Sequence, residues 1–262
     1  MKIIFFDIDG TLIGQGTRKM SESTIAAIEK ARANGHVCMI NTGRARVLVG
    51  SDIRDQVEFD GFLMGCGTMV EYHNEILLHK SFTEEEAIRI MDGIKRYRID
   101  AILEGPESNY CDGLDKFETD TFRKYIGRLD KNTYTTWDKA VGKFDKFFCY
   151  VDNLEHMQEF QEEFSDLLDV IDRENHFFEI VPKGYSKASA IRFMTERLGM
   201  DMQDTVAIGD SNNDLPMLEC AQTAIAMGNS SKEVLEIADY VTSDCKADGI
   251  WNALEWLGVL DN

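Results

Sequence analysis

The succession of apolar runs and polar breaks along the chain predicts strand, helix and strand from its first residues. Ile3-Ile4-Phe5-Phe6 is a short β-branched and aromatic run, the composition of a buried strand, and it breaks at Asp7-Ile8-Asp9-Gly10-Thr11. Ser21 stands where an N-cap belongs, ahead of a helix that carries Ile25, Ile28 and Ala31 and stops near Gly35. His36 to Ile40 is a second apolar run, broken by Asn41-Thr42-Gly43-Arg44. Strand, helix, strand in that order implies a right-handed crossover and a parallel pair. Both polar breaks then fall at the carboxyl ends of neighbouring strands, the edge at which open α/β sheets bind ligands.

Phe59 to Cys66 reads as a third strand, and Met69 to Phe82 as a β-hairpin turning at His73-Asn74. At Thr83 the texture changes: Thr83-Glu84-Glu85-Glu86 is a capping box with an acidic first turn, leading into a helix with Ala87, Ile88, Ile90, Met91 and Ile94. From there to Pro182, acidic helical stretches alternate with short strand candidates at Asp100–Leu103, Lys146–Val151 and Phe177–Val181. Met157, Phe160, Phe164, Leu167 and Leu168 give Glu155–Leu168 the spacing of an amphipathic helix. The pattern therefore predicts an α+β domain over 83–183, of usual domain size, inserted into one built from 1–82 and 184–262.

After the insertion, Ser186 caps a helix that runs to Leu198 and ends at Gly199. Thr205–Ile208 is another buried-strand run, broken by Gly209-Asp210-Ser211-Asn212-Asn213-Asp214, and Pro216 opens the next helix, where its missing N–H does no harm. Thr223–Met227 and Tyr240–Thr242 are further strands. Ile250–Leu257 is a terminal apolar helix whose Trp251 and Trp256 are expected in the core. The fold class is α/β.

Composition narrows the partners. The 262 residues include only three prolines, so no long flexible linker is expected. A formal net charge of −19 disfavours general binding to nucleic acid or to an anionic membrane. The six cysteines show no CxxC spacing and none of the five histidines pairs with one at zinc-ligand spacing, so all read as structural. No stretch is long enough to span a bilayer, and the first residues enter a strand rather than a signal peptide, which makes the cytoplasm the expected compartment. A monomer or weak homo-oligomer is expected.

Each polar break has a bland reading as an ordinary turn. Two carboxylates one residue apart, Asp7 and Asp9, are costly to bury without a compensating cation. Lys187 falls in a first helical turn, where a cation opposes the helix dipole at a cost of about 0.3–1 kcal/mol. Either its stem snorkels into water or it sits beside an anion attracted to the same helix end. Together, Asp7/Asp9, Thr42/Gly43, Lys187 and Asp210/Asn213/Asp214 supply what phosphoryl transfer requires: oxygen ligands for a hard cation, phosphate-facing donors and a nucleophile. Mg²⁺ suits Asp7 and Asp210 better than any Cys or His of the chain.

In order and over its whole length, the chain resembles the haloacid dehalogenase-like (HAD) superfamily, and within it the Cof-type phosphatases with a C2-type cap. The residues that carry the likeness are Asp-Ile-Asp-Gly-Thr at 7–11, Asn-Thr-Gly-Arg at 41–44, Lys-Gly-Tyr-Ser-Lys at 183–187 and Gly-Asp-Ser-Asn-Asn-Asp at 209–214. The resemblance implies a Rossmann-like parallel-sheet core with an inserted C2B-type cap acting as a lid. It implies that Asp7 attacks phosphorus and becomes an aspartyl-phosphate, and that Asp9 protonates the leaving oxygen and later takes a proton from water. Mg²⁺ would be held by Asp7, Asp210 and the backbone carbonyl of Asp9; Thr42, the Gly43 amide, Lys187 and Asn213 would bind the phosphoryl group; Asp214 would support Lys187 or a metal-bound water. The expected substrates are small phosphorylated metabolites such as sugar phosphates or pyridoxal phosphate. The alternatives are a sugar phosphomutase and a non-catalytic phosphate-sensing module. Glu104, Asn109, Tyr110, Asp112 and Glu179 are the polar candidates for substrate selection on the insert.

Overall fold

The computed structural model describes residues 1–14, 16–111, 117–126 and 134–261, without the Tyr125 side chain. The chain forms two compact units, the first made of residues 1–44, 49–78 and 186–262 and the second of 45–48 and 79–185.

The first unit begins with β1 (Ile3–Phe6), α1 (Glu22–Ala33), β2 (Val37–Asn41), the single-turn α2 (Ser51–Arg54), β3 (Gly61–Met64), β4 (Met69–Tyr72) and β5 (Glu75–His79). Ser21 caps α1 as expected, its side chain accepting from the Thr24 N–H. The hairpin between β4 and β5 turns at His73 and Asn74, both with positive φ (47° and 66°), the conformation a two-residue hairpin demands.

The second unit contains α3 (Glu84–Arg96), β6 (Asp100–Glu104), β7 (Asn109–Tyr110), α4 (Asp120–Ile126), β8 (Tyr134–Thr135), β9 (Lys146–Tyr150), α5 (Leu154–Glu163), β10 (Leu168–Asp172) and β11 (Phe177–Pro182). The predicted Thr83–Glu86 capping box is formed in full. The six strands make one sheet in the order β10-β11-β9-β6-β7-β8, antiparallel except for β7 with β8. Phe147 and Cys149 turn to one face, where Ala87, Ile90 and Ile94 of α3 and Phe160 of α5 cover them. Phe148 and Tyr150 turn to the other, against Phe122 and Ile126 of α4.

The chain then completes the first unit with α6 (Lys187–Arg197), β12 (Thr205–Gly209), α7 (Leu215–Cys220), β13 (Thr223–Ala226), α8 (Lys232–Ile237), β14 (Tyr240–Val241) and α9 (Gly249–Trp256). Its eight-stranded sheet has the order β14-β13-β12-β1-β2-β3-β4-β5, parallel from β14 to β3. Both faces are covered, which is why the strands read as unbroken apolar runs. Ile4 and Phe6 face the layer of α1 and α9, while Ile3 and Phe5 face α6 and α7. Each of these fully buried side chains stabilises the fold by about 1.5–3 kcal/mol. Strand order reverses at β1, with β12 on one side and β2 on the other, so a crevice is expected at its carboxyl end.

Several elements depart from the pattern. The third strand stops at Met64, because Gly65, Cys66 and Gly67 all take positive φ and turn the chain. The helix expected to reach Leu168 ends at Glu163; Phe164 is its C-cap yet remains in the core, and Leu168 already begins β10. Trp251 is partly buried against the core, but Trp256 is 48% exposed and stacks on Tyr240 with ring centroids 4.3 Å apart. All six cysteines are free thiols, Cys38, Cys66 and Cys149 buried and Cys111, Cys220 and Cys245 partly buried. No helix among the described residues is long and apolar enough to cross a membrane.

Candidate active site

Asp7 follows β1 directly, and its backbone N–H donates to the Ile208 carbonyl of β12 at 3.0 Å. This places the Asp7 carboxylate beside Asp210, which follows the end of β12. The loops meet at Gly10. Its φ is +90°, and a Cβ there would lie 2.1 Å from Asp210 Oδ2, so no other residue permits this approach. Thr11 Oγ1 donates to Asp210 Oδ1 at 3.2 Å. From the loop after β13, Asn229 Nδ2 donates to the Gly10 carbonyl at 2.8 Å and reaches Asp210 Oδ2 at 3.4 Å.

Lys187 does not snorkel. It is 1% exposed, and its Nζ donates to Asp7 Oδ1 at 2.6 Å and to Asp214 Oδ1 at 2.5 Å. The other Asp214 oxygen accepts the N–H groups of Asp210 and Ser211, both at 3.0 Å. Asp214 thus ties the Asp210 loop to Lys187 and is the most committed carboxylate of the group. Asp9, 60% exposed at its side chain, is turned to Arg44, whose Nε and Nη2 grip its two oxygens at 2.8 and 2.5 Å. Thr42 is buried at the end of β2 with its Oγ1 accepting from the Arg44 N–H, and Gly43 is half-buried. Asn213 is buried, its Oδ1 paired with Ser211 Oγ.

Burial, reinforced by Asp214, pushes the Asp7 carboxyl up to about 7 even though Lys187 pulls it down. Burial, then Asp7 and Asp214, push Asp210 up to about 8. For Lys187 burial opposes the charge, but Asp214 and Asp7 overcome it and hold the ammonium above its ordinary value. One oxygen from each of Asp7, Asp210 and Asp214 lies within 4.8 Å of the others. An all-oxygen donor set is the chemistry of a hard divalent cation rather than of a soft thiolate-seeking metal, so the residues present fit such an ion.

The polar candidates of the second unit are mostly engaged. Lys146 Nζ donates to Glu104 and, at 2.6 Å, to Glu179 Oε1, and Arg173 Nη1 takes Glu179 Oε2 at 2.9 Å. Burial opposes the Glu179 charge, but Lys146 and Arg173 hold its carboxyl down to about 2, whereas burial leaves Glu104 raised. Tyr110 packs in the apolar core, Asn109 is buried, and Asp112 lies outside the described residues.

Sequence reasoning missed the bond from Thr11 to Asp210, the contacts of Asn229 and the grip of Arg44 on Asp9. Arg44 lay in view within its motif, but nothing local names Asp9 as its partner, and the Asn229 contact spans most of the chain. A family profile described as haloacid dehalogenase-like hydrolase matches residues 4–254. The chain is 29% identical to "Putative phosphatase YkrA" of Bacillus subtilis (strain 168), over 99% of this chain and 98% of that protein. It is 26% identical to the 5-amino-6-(5-phospho-D-ribitylamino)uracil phosphatase YcsE of the same organism, over 97% of this chain and 94% of that one. The solved structure of BT1666 from Bacteroides thetaiotaomicron, a HAD-superfamily phosphatase, is similar with a TM-score of 0.86 at 25% identity, covering 99% of this chain and 96% of that one.

Proposed function

This chain belongs to the haloacid dehalogenase-like hydrolase family, whose relatives are phosphatases, and we propose that it is a Mg²⁺-dependent phosphatase of small phosphomonoesters such as sugar phosphates or pyridoxal phosphate. The observation that carries this reading is the meeting of Asp7, Asp210, Asp214 and the buried Lys187 at the carboxyl edge of a parallel sheet. In it, a carboxylate oxygen of Asp7 forms a bond to phosphorus as the ester P–O bond breaks. The departing oxygen takes a proton from Asp9, and the phosphoryl group stays on Asp7. Water then attacks phosphorus and gives a proton to Asp9 as the bond between Asp7 and phosphorus breaks; phosphate leaves, Asp7 is a carboxylate again and Asp9 is again the acid that began the cycle.

Thr42, the Gly43 amide, Lys187 and Asn213 bind the phosphoryl oxygens and oppose the charge that develops on them. Asp214 holds Lys187 in place for that task. Mg²⁺, held by Asp7, Asp210 and the Asp9 carbonyl, would neutralise charge between the nucleophile and the phosphate. Asp9 must leave the Arg44 fork to reach a leaving group, and its exposure allows that movement. The insert over 83–183 is read as a cap domain that carries substrate selectivity, and the protein as a cytoplasmic monomer or weak homo-oligomer.

The test is phosphate release across a panel of phosphorylated metabolites and an aryl phosphate, with and without Mg²⁺. Turnover is expected only with the metal, and Asp7→Asn is expected to lower it by about 10³-fold or more while the protein stays folded. Full turnover by Asp7→Asn would sink the nucleophile assignment.

A further inference from the structure

Asn41, the last residue of β2, is completely buried and only half satisfied. Its Nδ2 donates to the backbone carbonyl of Lys187 at 3.0 Å, while its Oδ1 has no hydrogen-bond partner among the described residues. Buried polar atoms are nearly always paired, so an amide kept with an unpaired oxygen calls for a reason besides stability. An apolar side chain of the same shape would remove the orphan oxygen but would also take the Nδ2 donor away from the Lys187 carbonyl.

The bond lands on the first residue of α6, and the start of that helix is built with care. Ser186 Oγ accepts the Ser189 N–H at 3.1 Å and Ser189 Oγ accepts the Ser186 N–H at 2.9 Å, which closes a capping box. Gly67, at φ +89°, lies so close that a Cβ on it would come within 2.4 Å of the Ser186 carbonyl oxygen. These contacts fix the shape of the helix end and its seat on the Gly65–Gly67 turn. Neither ties Lys187 itself to the strand that leads into Thr42. The Asn41 amide does.

We infer that Asn41 is a positioning residue, which pins the Lys187 backbone to the carboxyl end of β2 and so sets where Nζ stands between Asp7 and Asp214. The lysine stem is packed along its length, so a displaced Cα carries its ammonium with it. This role rests on the phosphatase reading only for its effect on turnover; the position of Nζ is independent of it. A shift of about 1 Å in such a group is enough to cost about a hundredfold in rate.

The test compares wild type, Asn41→Leu and Asn41→Ala, the smaller side chain serving if leucine prevents folding. Five quantities are read: the urea unfolding midpoint, kcat and KM for an aryl phosphate, calorimetric affinity for inorganic phosphate, and the ¹⁵N–¹H resonance of the Lys187 ammonium. In Asn41→Leu kcat is expected to fall about ten- to a hundredfold, by more than any change in the midpoint accounts for, and the ammonium resonance to move. Unchanged kcat with an unmoved resonance, or a fall in kcat matched by a fall in the midpoint, would overturn the proposal. Wild-type protein that neither turns over aryl phosphate nor binds phosphate would overturn the phosphatase reading instead, and the ammonium resonance would still decide the role of Asn41.

Discussion

Replacing Lys187 by methionine keeps the bulk of the stem and removes a single charge, at the place where that charge matters most. Its Nζ stands 2.6 Å from Asp7 and 2.5 Å from Asp214, and at an effective dielectric of about 20 each contact is worth roughly 6 kcal/mol before desolvation. Much of that sum only offsets the cost of burying the three groups. What the variant loses is the penalty of two buried carboxylates without their cation, about 3–5 kcal/mol. The loss depends on pH. The Asp7 carboxyl, already pushed up to about 7 by burial and Asp214, rises further without Lys187. A carboxyl whose folded value exceeds its unfolded one contributes stability that is fully present below the unfolded value, about 4, and is lost as pH rises through the folded value. Lys187→Met should therefore lie nearest to wild type at pH 5 and fall furthest behind at pH 8–9. Urea unfolding at these values in metal-free buffer reads the difference, and added Mg²⁺ should recover part of it. A variant as stable as wild type at pH 8 without metal would refute the picture of Lys187 as the counter-charge of this cluster.

Two further outcomes probe other links. Gly10→Ala places a Cβ 2.1 Å from Asp210 Oδ2 at φ +90°, so the loops must part; Mn²⁺ affinity read by electron paramagnetic resonance should fall by about tenfold or more, and an unchanged affinity would contradict the close approach. In the second unit, hydrogen bonding of His79 Nε2 to Asp145 at 3.0 and 3.1 Å raises the imidazole above its ordinary 6.5. Its stabilisation is present below that value and lost as pH rises through the raised one, so the gap in unfolding midpoint between wild type and His79→Gln should be wider at pH 6 than at pH 8.5. Equal gaps would show that the pair adds nothing through charge.

The sequence was most informative where chemistry and position coincide. The runs at Ile3–Phe6, His36–Ile40 and Thr205–Ile208 are legible as strands because a sheet covered on both faces needs unbroken apolar runs, and their polar ends therefore share one edge. It was least informative about contacts made across the chain. Lys187 offered two readings of equal local merit, and only the placement of Asp7 and Asp214 selects the buried one. The span of α5 was overrun because Phe164 and Leu168 continue the helical spacing although the chain has already turned into β10; both are buried, but by different elements. Trp256 looked like core by its apolar neighbours, and stacking on Tyr240 at the sheet's short last strand leaves it half in water.

A chain of net charge −19 that handles phosphate faces a conflict, and the cluster shows how it is met locally rather than globally. Asp7, Asp210 and Asp214 bring three negative charges when ionised and Lys187 brings one positive, an excess of two. That excess equals the charge of one divalent cation. A second buried lysine would balance only half of it and would bring no empty coordination position for a phosphate oxygen, whereas a hard divalent ion supplies both. A net charge of −19 disfavours other polyanions, while in the proposed mechanism Lys187, the metal-fitting cluster, Thr42 and Gly43 hold a single phosphoryl group. On this view the −19 is part of the selectivity: attraction is confined to the end of β1, where Lys187 meets the carboxylate cluster, and the net charge of the chain disfavours nucleic acid.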